Sequence, residues 1–341
     1  AISVPVTVVA AIGAASKLGA LVKGGAALEG LGKIRGVALD KTGTLTANRP
    51  AVIDVATTHG ATREQVLDLA AALEARSEHP LAQAILSATS SVPAATDVTA
   101  VAGHGITGRL GESTLRLGKP SWIDPGPLAD DVQRMQAAGA TVVVLERDGA
   151  THAAIAVRDE LRPEAPEAVR LLRSLDIDVA MLTGDNALTA DALAAEAGIT
   201  TVRSELLPED KAQLLADISG GRPIAMVGDG VNDAPALAQA DLGLAMGTGT
   251  DVAIEASDIT LVRGDLRSAV DAIRLSRKTL STIKTNLFWA FAYNVAAIPV
   301  AALGMLNPML AGAAMAFSSI FVVGNSLRLR GFTSTSSAPT H

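Results

Sequence analysis

The chain has 341 residues, 35 acidic and 28 basic side chains, a net charge of −7 and no cysteine. The acidic balance argues against nucleic acid as a partner, and the lack of cysteine excludes a disulfide framework or a thiolate metal site within it. Hydrophobic residues make up 49% and mean hydropathy is +0.34, high for a soluble enzyme, so two or three domains with a part in lipid are expected.

Residues 1–15 are apolar with Pro5 embedded, too short to cross a bilayer alone. They read as a buried core helix or as the cytoplasmic end of a membrane helix that starts upstream, because the chain opens without Met as if cut from a longer protein. Gly19, Lys23, Gly24 and Gly25 then break the pattern. Ile34, Val37, Ala38 and Leu39 predict a short buried strand ending on Asp40, followed by a turn through Thr42, Gly43 and Thr44. Two later runs repeat the design: DIDVAMLTGD ends at Asp185, and PIAMVGDGVND passes through Asp229 to Asp233. Parallel strands covered on both faces read as continuous apolar runs, and their ligands sit beyond the carboxyl ends. Three acids delivered to one edge therefore describe a centre for Mg²⁺ and phosphate.

An ionised Asp40 is a competent nucleophile toward a phosphoryl group, giving an aspartyl phosphate. Thr42, Thr44 and the N–H groups of Lys41 to Thr44 can bind oxygens of the group in transfer. Lys211 follows the helix-start signal Leu207-Pro208-Glu209-Asp210 and supplies a fixed positive charge. Thr183 and Gly184 bring a hydroxyl and an N–H toward the phosphoryl group. Asp40, Thr42, Asp229 and Asp233 are the candidate Mg²⁺ ligands, with Asn232 supporting them through water. The plainer role of Asn232 and Asp233 is to cap the next helix.

Between Asp40 and Asp185 the chain is too long for one crossover, so an inserted domain is expected at 50–149. REQVLDLAAALEA and LAQAILSAT carry apolar residues at helical spacing, and ATDVTAVA, GITGRLGE, STLRLG and TVVVLE read as strands. A sheet flanked by two helices follows. Gly103, Gly105 and Gly108 match G-x-G-x-x-G, but a strand follows them where a dinucleotide site needs a helix. From about Val157 strands and helices alternate again as in a parallel α/β sheet.

LFWAFAYNVAAIPVAAL and PMLAGAAMAFSSIFVVGNSL are each long enough to cross a bilayer. Arg274, Arg277, Lys278 and Lys284 precede this hairpin and Arg328 and Arg330 follow it, so the positive-inside rule places both outer ends and the catalytic part in the cytoplasm. Tyr293, Asn294, Met315, Ser318 and Ser319 are polar or soft groups within it, functional by default. Met suits Cu(I); helix packing is the competing role. The tail GFTSTSSAPTH is expected to be disordered.

DKTGTLT, TGDN and GDGVNDAPAL, in this order, resemble the phosphorylation-site motifs of P-type ATPases. The opening segment resembles the linker before that site in the heavy-metal (type IB) members, with wording closer to their zinc and cadmium branch. Tyr-Asn followed by Met-x-x-Ser-Ser is similar to the copper branch. Ser77-Glu78-His79-Pro80 is similar to a motif of the family's nucleotide-binding domain. The resemblance implies a haloacid-dehalogenase-like α/β fold, a doubly wound parallel sheet formed by 25–49 and 150–265. It implies an α+β nucleotide-binding insert, a membrane hairpin at 284–328, and ATP and Mg²⁺ as cofactors. By the same likeness Glu74, His79, Gly103 and Gly105 bind ATP, while Lys119 stands where the family often has Asn. Residues 1–24 would end a membrane helix and 329–341 would form the tail. The implied function is ATP-driven transport of a heavy-metal cation, Cu(I) first and Zn²⁺, Cd²⁺ or Co²⁺ as alternatives, in a bacterial plasma membrane, with a metallochaperone among the partners. The family hydrolyses its phosphoenzyme with a Thr-Gly-Glu loop that does not occur here, so this chain alone is expected to take up phosphate without completing a transport cycle. A soluble dehalogenase-superfamily phosphatase and a non-catalytic remnant are the rivals.

Overall fold

The protein is described from a computed structural model covering residues 3–335 other than 59, 78, 305 and 306; Glu78 of the Ser-Glu-His-Pro motif and residues 336–341 of the tail therefore lie outside the described residues. In chain order, α1 (Ser3–Lys17), β1 (Ala20–Val22) and α2 (Gly25–Lys33) lead to β2 (Gly36–Asp40). β3 (Thr46–Thr57), α3 (Arg63–Glu74), α4 (Pro80–Ser87), β4 (Thr96–Val101), β5 (Gly105–Leu110), β6 (Ser113–Gly118), α5 (Ala129–Ala137), β7 (Thr141–Arg147) and β8 (Ala150–Leu161) follow. After them come α6 (Ala165–Ser174), β9 (Asp178–Leu182), α7 (Ala187–Ala197), β10 (Thr201–Arg203), α8 (Pro208–Ser219), β11 (Ile224–Gly228), α9 (Ala234–Gln239), β12 (Leu242–Met246), α10 (Asp251–Ala256) and β13 (Ile259–Leu261). Two long helices, α11 (Arg267–Ala302) and α12 (Pro308–Leu327), close the chain.

These elements form two compact units, one from Ala1–Asp40, Glu164–Ala180 and Pro208–His341, the other from Lys41–Pro163 and Met181–Leu207. In the first, the strands run β1-β13-β12-β11-β2-β9. β2, β11, β12 and β13 are parallel, and β1 is antiparallel on β13. Val37–Leu39, Ile224–Val227 and Leu242–Met246 are buried without interruption, as expected of strands covered on both faces. Leu39 lies opposite Val227, so Asp40 and Asp229 leave neighbouring strands at the same edge.

The second unit holds an antiparallel sheet in the order β3-β8-β7-β6-β5-β4. Its residues alternate between two helical layers. Val143, Leu145, Ala153, Ile155 and Val157 pack with α3 and α4, whereas Val142, Val144, Ala154 and Ala156 pack with Val132 and Met135 of α5. The sequence reading missed α5, although Leu128, Val132 and Met135 stand at helical spacing. The sheet also begins at Thr46 and ends opposite it at Leu161, wider than the expected 50–149. Pro50 reads as a boundary, yet β3 is an edge strand, where proline is tolerated.

The first membrane stretch was expected to start at 284, but α11 is a single helix of 36 residues from Arg267, about 54 Å long. Its first half is buried and its second half exposes Phe288, Trp289, Phe291 and Ile298. The most apolar windows of α11 and of the second helix are 6% and 17% buried, unlike core helices of a soluble protein. Both are long and apolar enough to cross a membrane. In place of a tail disordered from 329, the described residues form a helical turn at Arg328–Gly331, and the Thr335 N–H donates to the buried carboxylate of Asp271 at 2.9 Å.

Candidate active site

In the first unit Asp40, Asp229 and Asp233 each offer an oxygen within 4.8 Å of the others. Lys211, on the first turns of α8, donates to Asp40 Oδ1 at 2.5 Å and to Asp233 Oδ1 at 2.8 Å. Asp40 is 6% exposed, Asp233 2% and Lys211 7%. Asp233 begins α9 but makes no side-chain cap there; its Oδ2 instead accepts from the N–H groups of Asp229 and Gly230 at 3.4 and 3.3 Å. The capping role is thereby set aside for Asp233, and Asn232 is exposed beside it. Gly228 permits the close approach, since a Cβ there would lie 2.7 Å from Asp233 Cβ.

Burial foremost, then repulsion by Asp233 and Asp229, pushes the Asp40 carboxyl up to about 7 against the pull of Lys211. Asp40 and Asp233 hold the Lys211 ammonium above its ordinary range, outweighing the opposite effect of burial. Three carboxyl groups gathered against one ammonium make a set of oxygen donors. That chemistry fits a hard divalent cation such as Mg²⁺.

In the second unit, Lys41 Nζ donates to Asp185 Oδ2 at 2.6 Å. The loop from Lys41 to Leu45 turns at Gly43, whose φ of 70° is in the left-handed region that glycine reaches without strain. Thr42 is half-buried, and Thr44 is fully buried with no partner for its hydroxyl, an orphan that a ligand oxygen could satisfy. Thr183 is buried and its Oγ1 accepts from the Asp185 N–H at 3.1 Å; Gly184 is exposed. Two residues that sequence reasoning missed hold this loop. Arg162 donates to the Gly43 carbonyl at 2.9 Å. Asp159 accepts from Thr46 Oγ1 at 2.5 Å and from the N–H groups of Asn48 and Arg49 at 3.2 and 2.8 Å. Their signal was the charged cluster RDELRP at the end of an apolar strand.

On the insert, burial raises the Glu74 pKa despite a hydrogen bond with Ser77. His79 caps α4, its Nδ1 accepting from the Leu81 N–H at 3.2 Å. Gly103 sits in a tight turn with φ 75° and open space above it. Gly105 lies against β6, where a Cβ would meet the Leu117 carbonyl at 2.2 Å. Lys119, at the other side of this crossing, donates its N–H to the His104 carbonyl at 2.9 Å and is exposed. On α11 and α12, Tyr293 and Ser318 line one groove with Trp289, Ala314, Phe317 and Phe321. Asn294 and Ser319 bond the carbonyls one turn back on their own helices, Ala290 and Met315, and Met315 is exposed.

The haloacid dehalogenase-like hydrolase pattern matches residues 34–241. The probable copper-exporting P-type ATPase V of Mycobacterium tuberculosis is 49% identical over 97% of this chain and 44% of its own length. The chain belongs to the P-type ATPase branch of the haloacid dehalogenase-like hydrolases. The copper-exporting P-type ATPase of Bacillus subtilis is 44% identical over 96% of the chain and 42% of itself, so the chain spans less than half the length of these relatives. Among solved structures, a zinc-transporting PIB-type ATPase in its E2.Pi state superposes with a TM-score of 0.78 at 38% identity, covering 96% of this chain and 55% of that one. The catalytic domain of the CPx-ATPase CopB-B matches at a TM-score of 0.60 and 27% identity, over 76% of this chain and 95% of its own. For a P-type ATPase the strand-end acids and the exposed apolar hairpin thus occur in one chain, with the nucleotide-binding insert between its sheet strands.

Proposed function

We propose that this chain is the catalytic part of an ATP-driven heavy-metal transporter of the cytoplasmic membrane, working through an aspartyl phosphate on Asp40 and exporting Cu(I). The cluster of Asp40, Lys211, Asp229 and Asp233 carries the reading. With Oδ1 held by Lys211, the other carboxylate oxygen of Asp40 attacks the γ-phosphorus of ATP. The bond to the β–γ bridging oxygen breaks, and ADP leaves with that electron pair. Lys211 keeps the nucleophile oriented and offsets charge on the transferring oxygens. Thr42 and Thr44 supply hydroxyls from a loop that Lys41 with Asp185 fixes, and Thr183 supplies another. Asp40, Asp229 and Asp233 would hold Mg²⁺, which when bound neutralises phosphate charge. Hydrolysis of the phosphoenzyme returns Asp40 to its carboxylate.

Copper as cargo is supported by the copper-exporting relatives and by the soft thioether of Met315. Zinc is the second reading, favoured by the zinc-transporting structural neighbour. Titrating the full-length protein with Cu(I), Zn²⁺, Cd²⁺ and Co²⁺ in turn, while following phosphoenzyme turnover, decides between them. Stimulation by Cu(I) alone is expected, and stimulation by Zn²⁺ alone reverses the assignment.

ATP binding is assigned to Glu74, His79, Gly103 and Gly105. With Nδ1 accepting from Leu81, the neutral His79 ring carries its proton on Nε2, free to donate to a nucleotide. Burial lowers the His79 pKa below 6.5, so the neutral form is favoured in the folded protein. Its contribution is complete above pH 6.5 and is lost as pH falls through the lower folded value. His79→Asn keeps a good helix cap but loses the ring; ATP affinity should fall about tenfold, the worth of one hydrogen bond, with little change in melting temperature. Thermal melts across that pH range should show wild type losing stability in acid and the variant flat, and calorimetric ATP titrations at neutral pH measure the loss of affinity. Equal affinities for the two proteins would remove His79 from the site.

A further inference from the structure

Three helices of the first unit meet at a buried polar node. Thr7 of α1, Asn286 of α11 and Ser326 of α12 are each 0% exposed. Asn286 Nδ2 donates to Thr7 Oγ1 at 3.4 Å and to Ser326 Oγ at 3.2 Å, and those two hydroxyl oxygens lie 2.8 Å apart. Each hydroxyl also reaches a carbonyl one turn back on its own helix, Ser3 and Val322, both at 2.7 Å. The two hydroxyls are within hydrogen-bond distance, either one able to donate, and the Asn286 amide donates to both. Its own Oδ1 is satisfied by Asn325 Nδ2 at 2.8 Å. Where the surroundings are apolar, such a network holds helices together, because each partner it loses leaves a buried polar group unpaired.

The position of the node gives it a further meaning. Asn286 is the last buried residue of α11. Below it the helix is rooted in the catalytic unit, with Arg277 donating to the Leu175 carbonyl at 2.7 Å and Ser276 to the Leu28 carbonyl. Above it the helix is exposed and apolar. Tyr293 follows Asn286 by two helical turns, so this groove residue lies on the same face of α11 about 10 Å away, and Ser318 lines the groove from α12. α1 is joined to the catalytic sheet through β1, and α11 follows β13, the strand on which β1 pairs. The node is therefore the layer at which all three helices leave the catalytic unit.

We infer that Asn286 is a positioning residue for transport: it clamps α1 and α12 to α11 so that displacement of the helix root reaches the Tyr293–Ser318 groove as one movement. This rests on the transport reading above. The test uses the full-length protein in vesicles with Asn286→Leu, Thr7→Val and Thr7→Ser, following two steps separately. Phosphoenzyme formation from ATP should stay near the wild-type rate in all three, since no node residue touches the Asp40 cluster. Cation-stimulated phosphate release should fall about tenfold, a coupling of ordinary size, in Asn286→Leu and Thr7→Val. It should recover in Thr7→Ser, which keeps the hydroxyl. Turnover unchanged in Asn286→Leu and Thr7→Val overturns the inference. So does a parallel loss of both steps together with a lowered melting temperature, which would make the node purely structural. A wild-type protein that takes no phosphate from ATP overturns the transport reading itself, and that control keeps the two failures apart.

Discussion

Asp40→Asn should take up no labelled phosphate from MgATP, while wild type forms an acid-stable, hydroxylamine-sensitive phosphoenzyme. An amide oxygen lacks the electron pair density to attack phosphorus, and no second carboxylate occupies its place: Asp233 is bound to Lys211 and two N–H groups, and Asp229 lies one strand away. The same variant should be no less stable than wild type when magnesium is absent. Asp40 is pushed up from 3.8 to about 7, so its protonated form is the one the folded protein prefers. Stability from this group is complete below pH 3.8 and is lost as pH rises through about 7. At about 1.4 kcal/mol for each tenfold change in proton affinity, the loss is up to ~4 kcal/mol. Melts of the metal-free proteins should show wild type losing stability up to neutral pH relative to Asp40→Asn. Incorporation of label into the Asn variant would refute the nucleophile, and superimposable pH profiles would refute the electrostatic account.

Lys211→Met should produce the largest loss of stability of any single change at the site. The ammonium at 2.5 and 2.8 Å from Asp40 and Asp233 is the positive group within that cluster among the described residues. Removing one partner of a buried ion pair costs about 3–5 kcal/mol, because the remaining charge is left unpaired. Magnesium should restore part of that stability by replacing the missing charge. It should not restore rate: losing a fixed donor aimed at developing charge costs about a hundred- to a thousandfold. Thermal melts with and without Mg²⁺, and rapid-quench phosphoenzyme formation, measure the two effects. A variant as stable as wild type without Mg²⁺ would mean that the pair contributes nothing. A variant rescued in rate by Mg²⁺ would leave Lys211 only a structural role.

Much of this centre is legible in the residues alone. Apolar runs ending at Asp40 and Asp229 announce buried parallel strands, since only a strand covered on both faces can afford no polar alternation. The caps of α7 follow from residue type, Asn186 accepting from the Thr189 N–H and Gly198 standing in the left-handed conformation. The hairpin is equally plain from length and apolarity. Other features have no local signature. The β3–β8 ladder joins residues about a hundred positions apart. That α11 begins at Arg267 is hidden because its first turns are polar enough to resemble a linker.

Residue order establishes the chemistry on offer: an acid at a strand end, hydroxyls in the turn after it, a lysine opening a later helix, and apolar helices of membrane length. Only the folded chain decides which of these meet. The pairing of β2 with β11 brings Asp40 and Asp229 to one edge, and the start of α9 turns Asp233 away from capping and toward Lys211. The burial that follows is what raises Asp40, because desolvation and mutual repulsion are properties of groups brought close together, not of a linear string.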